Sequence, residues 1–233
     1  MIENKGVFKL YNVSALKLKD FLNGFSLGYD LSTYDGEVKL EYDLSTLSIL
    51  DRDKFYKGFI SNFGDKIFAE SDISLANQLF YILNLRGLKI AFAESFTGGL
   101  LSSTITKIPG ASKIFYEGVV AYDEDAKHKR LGVSEKTLKR CYPVSEDVAG
   151  EMAVGLLGSN KADITISTTG IAGPDSDNSG FPVGLCYFGI ATSKKTAVYK
   201  YKLTGNREEI INKGVKTAIF LAIKALRDGS FDV

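Results

Sequence analysis

From Ser71 onward, the chain alternates short apolar segments with segments of helical periodicity, and this alternation restricts the possible folds more than any other feature. The segments LKIAFAE, EGVVAY and ADITISTTG have the length and the β-branched content of buried strands. The segments between them begin or end at helix caps, such as Ser145 before one helix and Gly87 after another. Strands alternating with helices predict a three-layer α/β/α sandwich. Two neighbouring strand segments, FPVGLCYFGIATS and TAVYKYKLT, make the predicted sheet mixed.

A different pattern precedes this region. Residues 24–45 alternate apolar and polar positions on either side of Asp35-Gly36, which predicts a β-hairpin. A helix is predicted next, with one apolar face formed by Phe55, Phe59, Ile60 and Phe63. We therefore expect a small α+β domain over residues 1–70 and the α/β domain over residues 71–233.

The first helix of the second domain is predicted to start at Ser71 or Asp72 as N-cap. It is predicted to end before Gly87 as C′ residue. Its apolar stripe consists of Leu75, Leu79, Ile82 and Leu83.

Composition excludes several classes of protein. Hydrophobic residues make up 45% of the 233 residues, enough for a sizeable core. The 29 basic and 28 acidic residues give a formal net charge of +1, which removes the electrostatic argument for direct nucleic-acid binding. Two distant cysteines indicate neither a disulfide framework nor a metal site. No apolar segment reaches bilayer length, so we expect a cytoplasmic protein that does not contact the membrane.

The single histidine, His128, restricts the available chemistry further. The sequence contains no GxxxxGK[ST] and no GxGxxG, which are typical of NTP and dinucleotide sites. Residues 175–180 imitate the start of a calcium loop, but Cys186 occupies the position of the closing glutamate. We interpret that segment as an exposed loop and predict no metal and no cofactor.

Two strand ends carry the candidate chemistry. In AFAESFTGG, Ser95 follows a strand and precedes two glycines; in ISTTGIAGP, a strand leads into Thr168 and Thr169. Ligands collect where strands end and helix amino termini present unpaired N–H groups. Taken alone, Ser95 or Thr97 reads equally as a helix cap and TTGIAGP as a structural loop. Their occurrence together predicts two walls of one site.

A serine nucleophile needs a base, and the sequence offers two adjacent candidates, Lys127 and His128. Neighbouring helical residues point roughly 100° apart, so only one of them can face the site. Helical periodicity does not choose between them. Lys127 also has a simpler interpretation as a solvated lysine paired with Asp123.

Five motifs in order resemble the carboxy-terminal domain of the competence/damage-inducible CinA family, over about residues 72–228. The first motif is the continuous stretch that begins with AESFTGG and ends with VAYDEDAKHKRLGV. The other four are VSEDVAGEMA, TTGIAGP, FPVG and GNREE. The resemblance implies an enzyme that hydrolyses nicotinamide mononucleotide to nicotinate mononucleotide and ammonia. It implies that Ser95 and Lys127 form the catalytic pair and that Tyr122 supports them.

For this reaction we expect backbone N–H groups of the turn from Thr97 to Gly99 to stabilise the oxyanion, and the loop from Thr168 to Gly173 and Arg207 to hold the ribose phosphate. The expected substrate-binding residues are Thr97, Gly98, Gly99, Thr168, Thr169, Gly170, Gly173 and Arg207. Two positions depart from the family pattern: Phe96 stands where cysteine is usual, and Ile211 where an arginine is common.

These departures keep a second function open, a non-catalytic nucleotide-sensing or assembly module. A third, a protein partner in DNA uptake or repair, rests on the family's name alone. Residues before the domain are similar to the KH-like segment of full-length CinA proteins, although a GxxG loop is missing. The apolar final helix leads us to expect a homo-oligomer.

Overall fold

The contacts within the chain divide it into two units, Met1–Gln78 and Leu79–Val233. The computed structural model describes residues 4–176 and 180–227. The boundary predicted from the sequence lies between residues 70 and 71. The boundary found from the contacts lies later, inside the helix Leu75–Arg86.

The first unit is a four-stranded antiparallel sheet with two helices. Its elements are β1 (Lys5–Tyr11), α1 (Ala15–Leu22), β2 (Gly28–Tyr34), β3 (Glu37–Asp43), α2 (Ile49–Phe63) and β4 (Ile67–Ala69), and the strand order is β2-β3-β1-β4. The predicted hairpin is β2–β3. Asp35 and Gly36 have φ of 48° and 81°, as a two-residue type I′ turn requires.

The core of this unit is aromatic. Phe8 stacks on Phe59, with ring centroids 4.6 Å apart, and Phe55 and Phe63 pack around it from the same helix face. The prediction that Ile60 shares this face is wrong, because Ile60 is 49% exposed. The 55–59–63 spacing already fills the face, and one residue further along the helix points towards solvent. The sequence analysis did not predict β1 or α1.

The second unit contains a five-stranded mixed sheet in the order β6-β5-β7-β8-β9. The strands β5, β6 and β7 are parallel, whereas β8 and β9 continue the sheet antiparallel. From residue 75 onward the elements are α3 (Leu75–Arg86), β5 (Ile90–Glu94), α4 (Leu100–Thr106), β6 (Phe115–Val120), α5 (Glu124–Leu131), α6 (Glu135–Cys141), α7 (Glu146–Ser159), β7 (Ile164–Gly170), β8 (Leu185–Thr192), β9 (Thr196–Lys202) and α8 (Arg207–Arg227).

Helices cover both faces of this sheet, as the sequence predicts. On one face α7 packs over β5, β7, β8 and β9, and it also contacts α5 and α6. The side chains of Thr165 and Ser167 point to this face and donate hydrogen bonds to carbonyl oxygens of α7. The other face is covered by α8 and α4. The fold is therefore a three-layer α/β/α sandwich with a small α+β unit before it.

Two details differ from the predictions. The helix α3 is capped by Ser74, whose Oγ accepts from the Asn77 N–H at 3.2 Å, and not by Ser71 or Asp72. Asp72 cannot cap because its carboxylate binds Lys39 Nζ at 2.6 Å. The short helix α6 was not predicted, because seven residues carry too little periodicity to distinguish a helix from a loop.

Candidate active site

The strand β5 ends in a tight turn that carries Ser95. The Ser95 N–H donates to Thr168 O at 2.9 Å, and the Gly98 N–H donates to Ser95 O at 3.0 Å. Gly98 and Gly99 have φ of 58° and 93°, which side chains with a Cβ rarely adopt. Parallel strands end at the same edge of a sheet, so the turn lies beside the end of β7.

Glu94, which the sequence analysis missed, binds the start of the helix after this turn. Its buried carboxylate accepts hydrogen bonds from the N–H groups of Gly99, Leu101 and Ser102 and from Ser102 Oγ, at 2.6–3.0 Å. An anion suits the positive end of a helix, where the first N–H groups have no helical partner. The N-cap residue of α4 is Gly99, and the carboxylate of Glu94, not the Ser95 side chain, accepts from the first N–H groups of the helix. An acidic residue directly before the serine is the signal that sequence reasoning overlooked.

Lys127 is buried in α5, with 2% of its surface exposed. Asp123 caps this helix by accepting from the Asp125 N–H at 2.8 Å. The Lys127 Nζ donates to Tyr122 O at 3.1 Å. Burial lowers the pKa of the amine from 10.5 to about 8, although Glu124 and Asp123 act in the opposite direction. The Lys127 amine therefore loses its proton at a lower pH than an exposed lysine.

His128, the other candidate base, faces away. Its Nδ1 is hydrogen-bonded to Val133 O at 2.8 Å, and its Nε2 lies 3.8 Å from Glu135. It is not among the residues that line the pocket beside Ser95. Packing of α5 therefore makes the choice that periodicity leaves open.

Ser95 and Lys127 line one pocket of about 550 Å³. Its walls are Ser95, Phe96, Tyr122, Asp123, Glu124, Lys127, Tyr142, Pro143, Val144, Gly170 and Ala172. In the described part of the chain, no hydrogen bond joins Ser95 Oγ to Lys127 Nζ. Catalytic hydrogen bonds often form only when substrate is bound, so two residues that line one pocket can still act as nucleophile and base.

Three predicted substrate-binding threonines are turned inward. Thr97 Oγ1 and Thr168 Oγ1 are hydrogen-bonded to each other at 2.8 Å, and Thr169 Oγ1 donates to Pro143 O at 2.7 Å. All three residues are buried. Their hydroxyls hold the β5 turn, the end of β7 and the residue before Val144 together. That they contact substrate directly stays a prediction; Gly170 and Ala172 are the residues of this loop that line the pocket.

Two of the predicted oxyanion donors, Gly98 and Gly99, have partners within the turn. The Gly98 N–H is bonded to Ser95 O, and the Gly99 N–H to Glu94 Oε2 at 2.9 Å. Both N–H groups are therefore already satisfied by the turn itself. Neither glycine lines the pocket.

Arg207 joins two parts of the pocket rim. Its guanidinium donates to Gly173 O at 2.6 Å and to the Tyr122 hydroxyl at 3.0 Å. Tyr122 thus contacts Lys127 through its carbonyl oxygen, while its phenol binds Arg207. Gly173 itself is buried, with φ of 86°, and carries no side chain towards the pocket. Of the predicted phosphate-binding groups, Arg207 is the exposed cation at the rim.

Of the two departures from the family pattern, Phe96 follows Ser95 directly and lines the pocket, whereas Ile211 does not line it. The Phe96 ring is buried against Phe188 and occupies the space that a Cβ at Gly214 would need. Ile211 is half-buried on α8, one turn after Arg207. Arg207 is therefore without a neighbouring arginine at that position.

Within residues 4–176 and 180–227, no cluster of three or more His, Cys, Asp or Glu side chains is arranged to hold a metal ion. Among the same residues, no helix combines the length and the apolar character needed to cross a bilayer. The calcium-loop imitation at residues 175–180 lies partly outside the described residues, because it includes 177–179.

One family model and several known proteins are similar to this chain. Residues 72–226 match the family described as the CinA C-terminal domain. A CinA-like protein of Kosmotoga olearia is 44% identical over 163 residues, which are 70% of this chain and 40% of that protein. A CinA-like protein of Fusobacterium nucleatum is 40% identical over 175 residues, 74% of this chain and 42% of that protein. The chain thus matches about two fifths of the length of these curated relatives.

Solved structures resemble the second unit. A competence-damaged protein (CinA) superfamily protein from Klebsiella pneumoniae has a TM-score of 0.65 and 29% identity, and the match covers 66% of this chain and 96% of that one. The competence/damage inducible protein CihA from Agrobacterium tumefaciens has a TM-score of 0.63 and 34% identity over 65% and 93% of the two chains. The family match begins at residue 72, so the KH-like resemblance of the preceding residues stays a prediction.

Proposed function

The chain belongs to the CinA C-terminal domain family, and we propose that it is an amidohydrolase that converts nicotinamide mononucleotide to nicotinate mononucleotide and ammonia. One observation carries the proposal: a buried lysine with a lowered pKa lines the same pocket as a serine held on a glycine turn. Perturbed titratable groups beside a potential nucleophile are typical of catalytic sites.

In the first step, uncharged Lys127 accepts the proton of Ser95, and Ser95 Oγ attacks the carboxamide carbon. The hydrogen bond from Lys127 Nζ to Tyr122 O orients the amine and leaves its lone pair available. The proton then passes from Lys127 to the departing nitrogen, which leaves as ammonia. Water attacks the acyl-enzyme with Lys127 as base again and releases the acid.

The negative charge on the substrate oxygen requires a donor close to Ser95. We assign this role to the Phe96 N–H, because Phe96 lines the pocket and follows the nucleophile directly, as in nucleophile-elbow hydrolases. Such a donor typically contributes about 3 kcal/mol to the transition state. This assignment replaces Gly98 and Gly99, whose N–H groups are engaged elsewhere.

The phosphate of the nucleotide is assigned to Arg207. Its guanidinium is exposed at the rim and is held by Tyr122 and by Gly173 O. Arginine binds phosphate oxygens through two N–H groups at once. No metal or cofactor takes part in these steps.

The test is ammonia release from nicotinamide mononucleotide by the purified protein and by Ser95→Ala and Lys127→Ala. We expect Ser95→Ala to lower the rate by at least about 1,000-fold and Lys127→Ala by about 100-fold or more. Lys129→Ala, on the exposed side of the same helix, is the matched control. Equal rates from all four proteins would contradict the catalytic assignment.

The same experiment addresses the alternative function. Ile211 stands where an arginine is common, which is the observation in favour of a nucleotide-sensing module. Binding of the nucleotide by the wild-type protein without ammonia release would support the sensor and reject the amidase.

A further inference from the structure

The lining of the pocket combines aromatic rings with carboxylates beside the catalytic pair. Tyr122 and Tyr142 are both more than half exposed, and both line the pocket. Asp123 and Glu124 line it as well. The sequence analysis gave Tyr142 and Glu124 no function.

Tyr142 is held in an unfavourable backbone conformation. Its φ is 62°, in the left-handed region that favours glycine, although it carries a bulky side chain. Its N–H donates to Leu138 O at 3.1 Å, and its carbonyl oxygen accepts from Ser145 Oγ at 3.1 Å. The residue is thus fixed from both sides. Strained residues that the surrounding structure maintains are concentrated at ligand sites, which makes Tyr142 a candidate for recognition.

The ring of Tyr142 is also fixed. It meets the ring of Phe181 edge to face, with centroids 5.9 Å apart and planes at 80°. Phe181 in turn packs against the cluster of Val144, Ile171 and Leu185. Even so, 51% of the Tyr142 surface remains exposed. A ring that is supported from behind and open in front is suited to stack on a flat ligand.

The charges of this lining favour a cation. Glu124 and Asp123 bring two carboxylates to the pocket, and aromatic faces attract positive charge through their quadrupole. The exposed cation Arg207 is bound to the Tyr122 hydroxyl at the rim. Beside Lys127, the pocket thus offers carboxylates and aromatic rings to a positively charged ring, and Arg207, bound to Tyr122, offers a guanidinium to a negative phosphate.

We propose that Tyr142 and Glu124 recognise the positively charged, N-substituted pyridine ring of the substrate and thereby select cationic pyridinium nucleotides over neutral analogues of the same shape. This inference rests on the proposed function, which concerns the same pocket. It adds two specificity-determining residues that neither the catalytic motif nor the phosphate site includes.

Matched ligands separate charge from shape. Nicotinamide mononucleotide carries the cationic ring, and its carbon-linked benzamide counterpart has the same carboxamide, ribose and phosphate on a neutral ring. Binding is measured calorimetrically on the full chain with Ser95→Ala, so that neither ligand is consumed. We expect the cationic ligand to bind roughly five- to tenfold more tightly.

Substitutions then test which residues cause the preference for the cationic ligand. Tyr142→Leu removes the ring and keeps the Cβ, and we expect it to reduce the preference for the cation to about twofold or less, while Tyr142→Phe restores it. Glu124→Gln removes one charge and is expected to weaken only the cationic ligand, by about threefold. Asp125→Asn removes the same charge from the same helix outside the pocket and serves as the control. If Tyr142→Leu does not fold, the affinities of Glu124→Gln for the two ligands test the inference.

The outcomes distinguish this inference from the proposed function. Equal affinity for the two ligands, equal losses for both in Tyr142→Leu and Glu124→Gln, or no binding of either ligand would overturn the inference. Ammonia release by the wild-type protein with equal affinities would leave the amidase intact. A cation preference that depends on Tyr142, without ammonia release, would support the inference and reject the amidase.

Discussion

Lys127 lies in the wall of the pocket, and its burial decides at which pH the amine can act as a base. With a pKa of about 8, about a tenth of the amine is uncharged at pH 7. We expect kcat/KM for ammonia release to rise with pH up to about 8 and then to level. The measurement is a pH–rate profile, and a flat profile between about pH 6 and about pH 10 would contradict Lys127 as the base.

The same burial reduces stability. The pKa of Lys127 is lower in the folded protein than its ordinary value of 10.5, so folding opposes the protonated form. The penalty, at most roughly 3 kcal/mol, is fully present below about pH 8 and fades as the pH rises towards 10.5. We therefore expect Lys127→Met to raise the free energy of unfolding at pH 7 and to lose this advantage near pH 10.

The readout is chemical denaturation at both pH values. Lys129→Met, an exposed change on the same helix, is the control and is expected to change stability by a few tenths of a kcal/mol. A Lys127→Met protein less stable than the wild type at pH 7 would show that burial of the amine is compensated in another way.

Glu94 determines the geometry of the Ser95 turn without touching the pocket. Glu94→Gln keeps the shape of the side chain but replaces one carboxylate oxygen with an NH2 group. This group is a donor and cannot accept the hydrogen bonds of the helix N–H groups. We expect it to lower the free energy of unfolding by about 2 kcal/mol or more and to reduce kcat. Denaturation and initial rates measure both effects, with the exposed Glu135→Gln as control. Unchanged stability would mean that water replaces the carboxylate at no cost.

At the scale of elements, the contact of α5 with α7 positions the base. A Cβ at Gly155 would overlap the carbonyl oxygen of Leu131, so only glycine lets α7 approach the end of α5. Gly158 lies on the same helix with nothing within 4 Å. The two glycines therefore form a matched pair, one at the contact and one in open space.

We expect Gly155→Ala to destabilise the protein by more than about 2 kcal/mol and to lower kcat, because α5 must shift and carries Lys127 with it. Gly158→Ala is expected to stabilise it by about 0.5–1 kcal/mol, since alanine is the better helix former. Thermal denaturation measures the stability of both variants relative to the wild type. Equal effects of the two substitutions would show that the helix contact does not constrain α5.

At the scale of the whole molecule, every residue that lines the candidate site belongs to the second unit. The hydrogen bonds of Glu94, Ser95, Lys127 and Arg207 also stay within it. The match to the solved protein from Klebsiella pneumoniae covers 96% of that protein and 66% of this chain. The first unit has its own sheet and its own aromatic core.

We therefore expect residues 72–233, which retain Ser74 and all of α3, to release ammonia with kcat and KM within about twofold of the full chain. Steady-state kinetics on both proteins is the measurement. A folded fragment without activity, next to an active full chain, would assign the first unit a part in catalysis.

The sequence by itself determined the architecture and the location of the site. Alternation of strand and helix patterns predicts the layered sheet, and local signals such as Ser145, Gly87 and Asp35-Gly36 are found at the ends of helices and in the hairpin turn. Ser95 is found at a strand end beside β7, as expected. These features depend on a residue and its near neighbours in the chain, and such interactions can be evaluated from sequence.

Only the tertiary structure decided which side chains face the pocket. Periodicity could not separate Lys127 from His128, whereas in the fold Lys127 lines the pocket and His128 Nδ1 is hydrogen-bonded to Val133 O. Thr168 was predicted to contact the ligand, but its hydroxyl is hydrogen-bonded to the hydroxyl of Thr97, 71 residues away in the sequence. The direction of a side chain is determined by partners that are remote in sequence and close in space, and a single sequence does not reveal those partners.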